Sequence, residues 1–127
     1  MSGVESIAVV GLSANPSRPS HDVAGYLQRA GHRIIPVNPN YAEVLGEKSY
    51  HSLSAIPFPV DIADIFRRPE ALPEVVDDAI RANVSRLWFQ IGVVNDLAVQ
   101  RALDAGIQVV VDRCLKVEHR KLLVIPD

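Results

Sequence analysis

Short β-branched apolar runs alternate along the chain with amphipathic stretches, and this alternation limits the fold more than any other feature. Five runs predict buried strands, over residues 7–10, 33–37, 60–66, 86–89 and 108–111. Runs of this kind are typical of parallel strands covered by helices on both faces. Alternating strands and helices in turn imply right-handed crossovers.

The amphipathic stretches predict three main helices. "SHDVAGYLQRAG" begins with Ser20 as N-cap, "LPEVVDDAIRAN" follows the third strand, and "NDLAVQRALDAG" has Asn95 as N-cap and Leu103 among its inward positions. Short helical turns are expected near residues 52–56 and 117–123. The whole pattern predicts an α/β protein with a three-layer, Rossmann-like fold and a five-stranded parallel sheet in the order 3-2-1-4-5.

Length and composition narrow the class of protein. A chain of 127 residues, 48% of them hydrophobic, favours a single domain over residues 1–127 with one core. A formal net charge of −2 gives no reason to expect nucleic acid as a partner. No apolar run approaches the roughly 20 residues that cross a bilayer, and no signal peptide is evident. With one cysteine, the chain fits a cytoplasmic protein without membrane partners.

The stretch "VVGLSANPSRPSHDV" predicts an anion site. Gly11 ends the first strand and permits close approach to the backbone, while the following helix presents free N–H groups. Ser13, Asn15 and Ser20 offer further donors, and Arg18 offers a charged fork of donors. The alternative is a plain connection rich in turn residues. Connections in α/β units usually have about 2–6 residues, and this one is longer and more polar.

The sequence says less about which phosphate compound binds than about where an anion would bind. A dinucleotide site requires G-x-G-x-x-G here and an acid after the second strand. The glycine motif is absent, and Asn38 stands where the acid would be. These departures disfavour NAD, although NADP tolerates a missing acid.

Polar residues follow the later strands as well. Arg67 and Arg68 suit an additional phosphate on a ribose, or alternatively they are solvated or paired with Glu70 or Glu43. Cys114 follows the last strand beside cationic residues that would favour its thiolate, or alternatively it is an inert buried cysteine.

After the fourth strand, "FQIGVVND" places Gln90 and Gly92 where an extended, amide-bearing chain could lie. Alternatively, Gly92 only permits a turn. Four histidines lie at positions 21, 32, 51 and 119, and we expect each of them at the surface, with no metal site.

Taken in order, several segments resemble a known family. They are "VVGLSANPSRPSHDVAGYLQRAGHRIIPVNP", "GEKSYHSLSAIP", "DIFRRPE", "LWFQIGVVND" and "VVVDRCLKVEHR". The chain resembles the single-domain bacterial CoA-binding proteins, which are similar to the N-terminal CoA-binding domain of the succinyl-CoA synthetase α subunit. The resemblance extends from about Ile7 to Leu122.

The resemblance implies coenzyme A as the cofactor, held across the strand ends. In that family the loop after strand 1 wraps the nucleotide and diphosphate, the end of strand 2 borders the adenosine, and the end of strand 4 lies near the pantetheine. The positions so implied are Gly11, Ser13, Ala14, Asn15, Pro16, Arg18, Ser20, Asn38, Pro39, Tyr41, Arg67, Arg68, Gln90, Ile91, Gly92 and Cys114. Coenzyme A carries a 3′-phosphate that NAD lacks, which favours the phosphate interpretation of the two arginines.

The same resemblance implies binding without catalysis. The synthetase reaction uses a phosphorylated histidine on a second domain, and these 127 residues match the first domain only. We therefore expect a carrier or sensor of coenzyme A or an acyl-CoA, with no catalytic residues. Two alternatives stay open: a redox protein that forms a mixed disulfide between Cys114 and the coenzyme thiol, and an NADP-binding oxidoreductase. A homodimer or an unidentified protein partner is also left open.

Overall fold

Seven strands and three α-helices lie in residues 6–89 and 95–111, the part of the chain that the computed structural model describes. The strands are β1 (Ser6–Val10), β2 (Arg33–Val37), β3 (Glu43–Val44), β4 (Glu47–Lys48), β5 (Ile62–Ile65), β6 (Arg86–Phe89) and β7 (Gln108–Val111). The helices are α1 (Pro19–Arg29), α2 (Leu72–Arg81) and α3 (Asp96–Asp104). Short 3₁₀ turns at Leu53–Ala55 and Pro69–Ala71 complete these elements.

Five of the strands form one parallel sheet in the order β2-β1-β5-β6-β7, while β3 and β4 form a separate hairpin. The predicted α/β, Rossmann-like class is therefore confirmed. The predicted order of the strands is wrong in one place. It put the third main strand, β5, at the sheet edge beyond β2, whereas β5 lies between β1 and β6 and gives the order 2-1-3-4-5.

Burial explains the position of β5. All four of its residues are buried, and it pairs in register with β1 on one side, Ile7 opposite Ile62, and with β6 on the other. An edge position would leave one row of its backbone N–H and C=O groups without strand partners, which is costly for a strand that is covered on both faces. The strand is also shorter than the predicted 60–66.

The sheet is covered on its two faces by different helices. Alternate residues of β1 divide between the faces: Ile7 and Val9 pack with α1, whereas Ala8 and Val10 pack with α2 and α3. This gives the predicted three layers. Leu103 is an exception to the predicted inward positions, because half of its surface is exposed.

The long connection between β2 and β5 carries the hairpin and the turn at Leu53–Ala55. Tyr50 extends the edge of the sheet, since its backbone N–H donates to the Pro36 carbonyl and its own carbonyl accepts from the N–H of Asn38. The turn at Leu53–Ala55 is held on α2, because the Asp78 carboxylate accepts from the backbone N–H groups of Leu53 and Ser54. Tyr50 thus lies beside the carboxyl end of β2, and the chain then runs to the amino edge of the sheet, where β5 begins.

None of the helices in the described residues is long and apolar enough to cross a membrane.

Candidate functional site

The order of the strands reverses direction between β1 and β5, and this is where the candidate site lies. The chain leaves β1 through α1 towards β2 on one side, and β5 lies on the other side. In sheets of this kind ligands bind in the crevice outside the carboxyl ends of the strands at such a reversal. In the predicted order 3-2-1-4-5 the reversal lies between the first and fourth main strands, whereas the observed order puts it at the junction of Gly11 and Phe66.

Gly11 fits this junction because it has no side chain. Its φ of +87° lies in the left-handed region, and a Cβ there would collide with the carbonyl oxygen of Phe66 and stand 3.1 Å from Cδ of Arg67. Backbone hydrogen bonds hold three strand ends together: Gly11 donates to Val37, and Phe66 donates to Val10, each over 2.8 Å. The absent side chain lets Arg67 cross directly over the end of β1.

The loop of residues 11–18 is ordered by its own short hydrogen bonds. The Ser13 N–H donates to Oγ of Ser20 over 3.0 Å, and the Asn15 N–H donates to Oγ of Ser13 over 3.0 Å. The backbone and the hydroxyl of Ser17 both donate to Oδ1 of Asn15. In each of these bonds a side-chain oxygen of the loop or helix accepts, so within the described residues the hydroxyl hydrogens of Ser13 and Ser20 and the amide hydrogens of Asn15 are retained as donors.

Ser20 differs from its predicted role. Helix α1 begins two residues earlier, with Arg18 as N-cap, Pro19 at the first helical position and no side-chain cap. The Ser20 hydroxyl, 4% exposed, instead holds the loop against the helix. Sequence reasoning gave the capping role to Ser20 because serine is a preferred cap, but the fixed φ of Pro19 starts the helix before it.

A cleft of about 450 Å³, which we call the loop cleft, is lined by Gly11, Ser13, Arg18 and Ser20 together with residues that follow β2 and β5. Three of the described residues that line it are arginines, Arg18, Arg67 and Arg68, and no acidic side chain is among them. Within the described part of the chain neither Arg67 nor Arg68 forms an ion pair, so the predicted alternative of pairing with Glu70 or Glu43 is not what the structure has. The loop cleft therefore combines hydrogen-bond donors with positive charge, which is the composition of an anion site.

Asn38 lies in the loop cleft but is engaged in holding it together. Its Nδ2 donates to the Leu12 carbonyl over 3.1 Å, and its Oδ1 accepts from the Asn40 N–H over 2.9 Å. Its own carbonyl accepts from the Ser49 hydroxyl. These bonds join the loop after β1 to the segment after β2 and fix the spacing between the two walls of the cleft.

The structure brings together half of the predicted site residues in the loop cleft, namely Gly11, Ser13, Arg18, Ser20, Asn38, Tyr41, Arg67 and Arg68. Ala14, Asn15 and Pro16 lie at the exposed tip of the loop and do not line it. Pro39 lines a different cleft. Gln90, Ile91, Gly92 and Cys114 lie outside the described residues, and so does the predicted turn at 117–123.

Sequence reasoning missed three lining residues: Pro19, Phe66 and Pro69. Two of them flank the arginine pair in "FRRPE", and their position directly after a strand was the available signal. Pro69 has a further role, because its carbonyl accepts from Nδ2 of Asn95, whose Oδ1 caps α3 as predicted by accepting from the Ala98 N–H.

A second cleft of about 290 Å³ lies on the α2 side of the same strand ends, and we call it the α2 cleft. Val10, Val37 and Val75 form its apolar part. Its polar lining includes the acidic Glu74 and Asp78 together with Arg67, Arg81, His51, Ser52 and Ser54. Arg67 is the residue that it shares with the loop cleft.

The histidines are not gathered into a site in the described residues. His51 is exposed as predicted, whereas His32 is only 6% exposed, which corrects its expected surface position. His32 precedes β2, where its backbone N–H donates to the Leu27 carbonyl and draws the residue against α1. Residues 6–89 and 95–111 contain no group of three or more His, Cys, Asp or Glu side chains arranged to hold a metal ion.

Comparison with known proteins decides the family. The model of the CoA binding domain matches residues 5–120, which is nearly the whole chain. The chain belongs to the CoA-binding domain family. The family resemblance expected from the motifs is thereby confirmed.

Members of the family and their relatives include small and large proteins. The chain is 46% identical over 113 residues to the uncharacterized protein YneT of Bacillus subtilis, covering 89% of this chain and 84% of that one. A hypothetical protein of Pyrococcus horikoshii has the same fold, with a TM-score of 0.91 and 39% identity, over 94% of this chain and 84% of that one.

A larger relative is an ADP-forming acetate–CoA ligase of Archaeoglobus fulgidus, 33% identical over 82 residues. The match covers 63% of this chain but only 12% of the ligase. This member of the CoA-binding domain family is therefore homologous to one small part of such ligases.

Proposed function

We propose that this chain binds coenzyme A, free or acylated, in the loop cleft, and that it acts as a non-catalytic carrier or sensor of the coenzyme. Membership of the CoA-binding domain family supports coenzyme A as the ligand. The position of the loop cleft at the reversal of strand order supports this edge of the sheet as the place where it binds.

One observation carries the proposal: the hydroxyl oxygens of Ser13 in the loop and Ser20 in α1 accept hydrogen bonds from backbone N–H groups, and within the described residues their own hydrogens are retained as donors. A diphosphate offers only acceptors, so it is complementary to such a loop. The arginines of the loop cleft add charge-assisted hydrogen bonds, which are roughly twice as strong as neutral ones. Gly11 permits the diphosphate to approach the backbone, and the neighbouring start of α1 favours negative charge.

The fit of the whole coenzyme supports the same assignment. Coenzyme A carries a diphosphate and a 3′-phosphate, and three arginines line the loop cleft. The pantetheine arm would extend from there along the strand ends towards β6. The described lining of the loop cleft contains no His, Asp, Glu, Lys or Cys, so its hydroxyl side chains have no general base among that lining, which favours a carrier or sensor role over catalysis.

A calorimetric titration in reducing buffer tests the proposal, with coenzyme A, acetyl-CoA and NADP as separate ligands. We expect saturable binding of coenzyme A or acetyl-CoA at one site per chain, and weaker binding of NADP. The acetyl-CoA is then recovered by chromatography, and we expect it to be unchanged. Tighter binding of NADP than of coenzyme A would contradict coenzyme A as the ligand. Hydrolysis or transfer of the acetyl group would contradict the non-catalytic role.

A further inference from the structure

Arg67 occupies a position that no other described residue shares. It lines both the loop cleft and the α2 cleft, and it also lines an outer cleft with Arg68, Glu70, Ala71 and Glu74. Its aliphatic stem crosses Gly11, where Cδ is 3.1 Å from the point that a Cβ would occupy. Arg67 therefore forms the wall between the loop cleft and the α2 cleft.

The two clefts on either side of Arg67 differ in charge. The loop cleft has three arginines and no acidic residue among its described lining, and so it suits phosphate. The α2 cleft has Glu74 and Asp78 beside an apolar surface formed by three valines, and Arg81 lies 3.8 Å from the Asp78 carboxylate. Without an excess of positive charge the α2 cleft suits phosphate less well than the loop cleft, whereas a flat, uncharged heterocycle with polar edges would find both apolar contact and polar groups there.

The order of groups in a nucleotide then places the ribose at Arg67. The ribose joins the 5′-phosphate to the base, so a molecule with its diphosphate in the loop cleft and its base in the α2 cleft must set its ribose against the wall between them. A phosphate on that ribose would meet the guanidinium of Arg67. Arg68 lines the loop cleft and the outer cleft but not the α2 cleft, and so lies on the diphosphate side.

We propose that Arg67 is the residue by which the protein distinguishes a coenzyme that carries a phosphate on its adenosine ribose from one that does not, and that Arg68 contributes to affinity for the diphosphate instead. This inference rests on the proposed binding of coenzyme A. It goes beyond that proposal because it assigns different roles to two adjacent residues of the same type.

The experiment compares coenzyme A with dephospho-coenzyme A, which lacks only the ribose phosphate. Calorimetric titrations of the full chain give the ratio of the two dissociation constants for the unaltered protein, Arg67→Gln, Arg68→Gln and Arg67→Lys. Both arginines are exposed, and thermal unfolding verifies that each variant keeps its fold.

We expect the unaltered protein to prefer coenzyme A by roughly tenfold or more, the effect of a charge-assisted hydrogen bond. Arg67→Gln should bring the ratio to within about twofold of one, and Arg67→Lys should restore part of the preference because it restores the charge. Arg68→Gln should weaken both ligands by a similar factor and leave the ratio intact.

Three results would overturn the inference: no preference in the unaltered protein, a preference that survives in Arg67→Gln, or a preference that is lost equally in Arg68→Gln. In each of these cases coenzyme A still binds, so the proposed function stands. If the unaltered protein binds neither ligand, the proposed function fails first and this inference fails with it.

Discussion

The two edges of the main sheet are both rich in polar side chains, yet they are built differently. At the amino edge, Ser6 and Asp61 bind each other: the Ser6 N–H and hydroxyl donate to Oδ2 of Asp61 over 2.9 and 3.0 Å, and the Asp61 N–H donates to Oγ of Ser6. At the carboxyl edge, Ser13 and Ser20 accept from backbone N–H groups and keep their hydroxyl hydrogens. At the amino edge the donors and acceptors of Ser6 and Asp61 satisfy each other. At the carboxyl edge the hydroxyl hydrogens of Ser13 and Ser20 stay available to a ligand within the described residues.

This difference teaches that the balance of donors and acceptors, more than the number of polar residues, marks the candidate site. The amino edge should therefore affect stability alone, and the carboxyl edge should affect binding as well. The following substitutions test that contrast, from the largest expected effect to the smallest.

The largest effect is expected at Gly11. Gly11→Ala combines an unfavourable positive φ with a collision against the Phe66 carbonyl, and should lower the free energy of unfolding by roughly 3 kcal/mol. Gly106→Ala is the matched control, since Gly106 has a φ of +83° with open space around it, and should cost only about 1 kcal/mol. Urea unfolding measures both, and equal losses would show that close approach at Gly11 contributes nothing.

The next effect is on binding. Arg18→Gln removes a charge from the loop cleft and should weaken coenzyme A binding roughly tenfold, while the free energy of unfolding changes by less than about 0.5 kcal/mol. Arg29→Gln removes the same charge from the other end of α1 and should leave the affinity unchanged. Calorimetry at two salt concentrations measures both variants. A similar loss in each would mean that only net charge matters.

Ser20 should affect both properties. Ser20→Ala removes the buried acceptor of the Ser13 N–H and should lower the free energy of unfolding by about 1–2 kcal/mol, with weaker binding because the loop is less well held. Ser17→Ala, in the exposed part of the loop, is the control, and we expect a change of less than about 0.5 kcal/mol. If Ser20→Ala binds coenzyme A as tightly as the unaltered protein, the loop does not depend on this bond.

The smallest effect is expected at the amino edge. The hydrogen bond from the Ser6 N–H, supported by the Ser6 hydroxyl and the charge of Arg86, holds the pKa of the Asp61 carboxyl below its ordinary value, although partial burial opposes this. A group whose pKa is lower in the folded state stabilises the fold above its unfolded pKa, about 3.9, and loses that contribution as pH falls through the folded value.

Asp61→Asn should therefore lower the free energy of unfolding by about 0.5–1 kcal/mol near pH 7, a small value because the site is exposed. The difference from the unaltered protein should shrink below about pH 4 and disappear once the carboxyl is protonated. Urea unfolding at several pH values measures it, and binding of coenzyme A at pH 7 should be unchanged. A loss of affinity in this variant would remove the contrast between the two edges.

Much of the fold follows from local pattern. The bounds of β2, β6 and β7 agree with the predicted strands, because short apolar runs between helix signals define them locally. The order of the strands does not follow in the same way. Pairing of β5 with β1 joins residues far apart in the chain, and the apolar pattern of β5 alone fits an edge as well as an interior position.

The sequence predicted that the candidate site lies at the ends of the strands, but it did not predict the division of that edge into the loop cleft and the α2 cleft. Gly11, Arg18 and Arg67 could be identified because each follows a predicted strand. Asn38 lines the loop cleft, whereas Pro39 lines the α2 cleft. This division depends on the face of the sheet towards which each of the two residues lies after β2 ends. The roles of Ser20 and Asn38 as structural links likewise depend on contacts that only the folded chain provides.

The most direct test of the central claim is a titration of the ¹⁵N-labelled protein with coenzyme A, followed by the backbone amide resonances. Binding in the loop cleft predicts saturable shifts for the amides of Gly11, Ser13, Ser20 and Arg67, with those of Ser6 and Asp61 unmoved. Shifts at the amino edge of the sheet, or a spectrum that does not change at saturating coenzyme, would contradict the account.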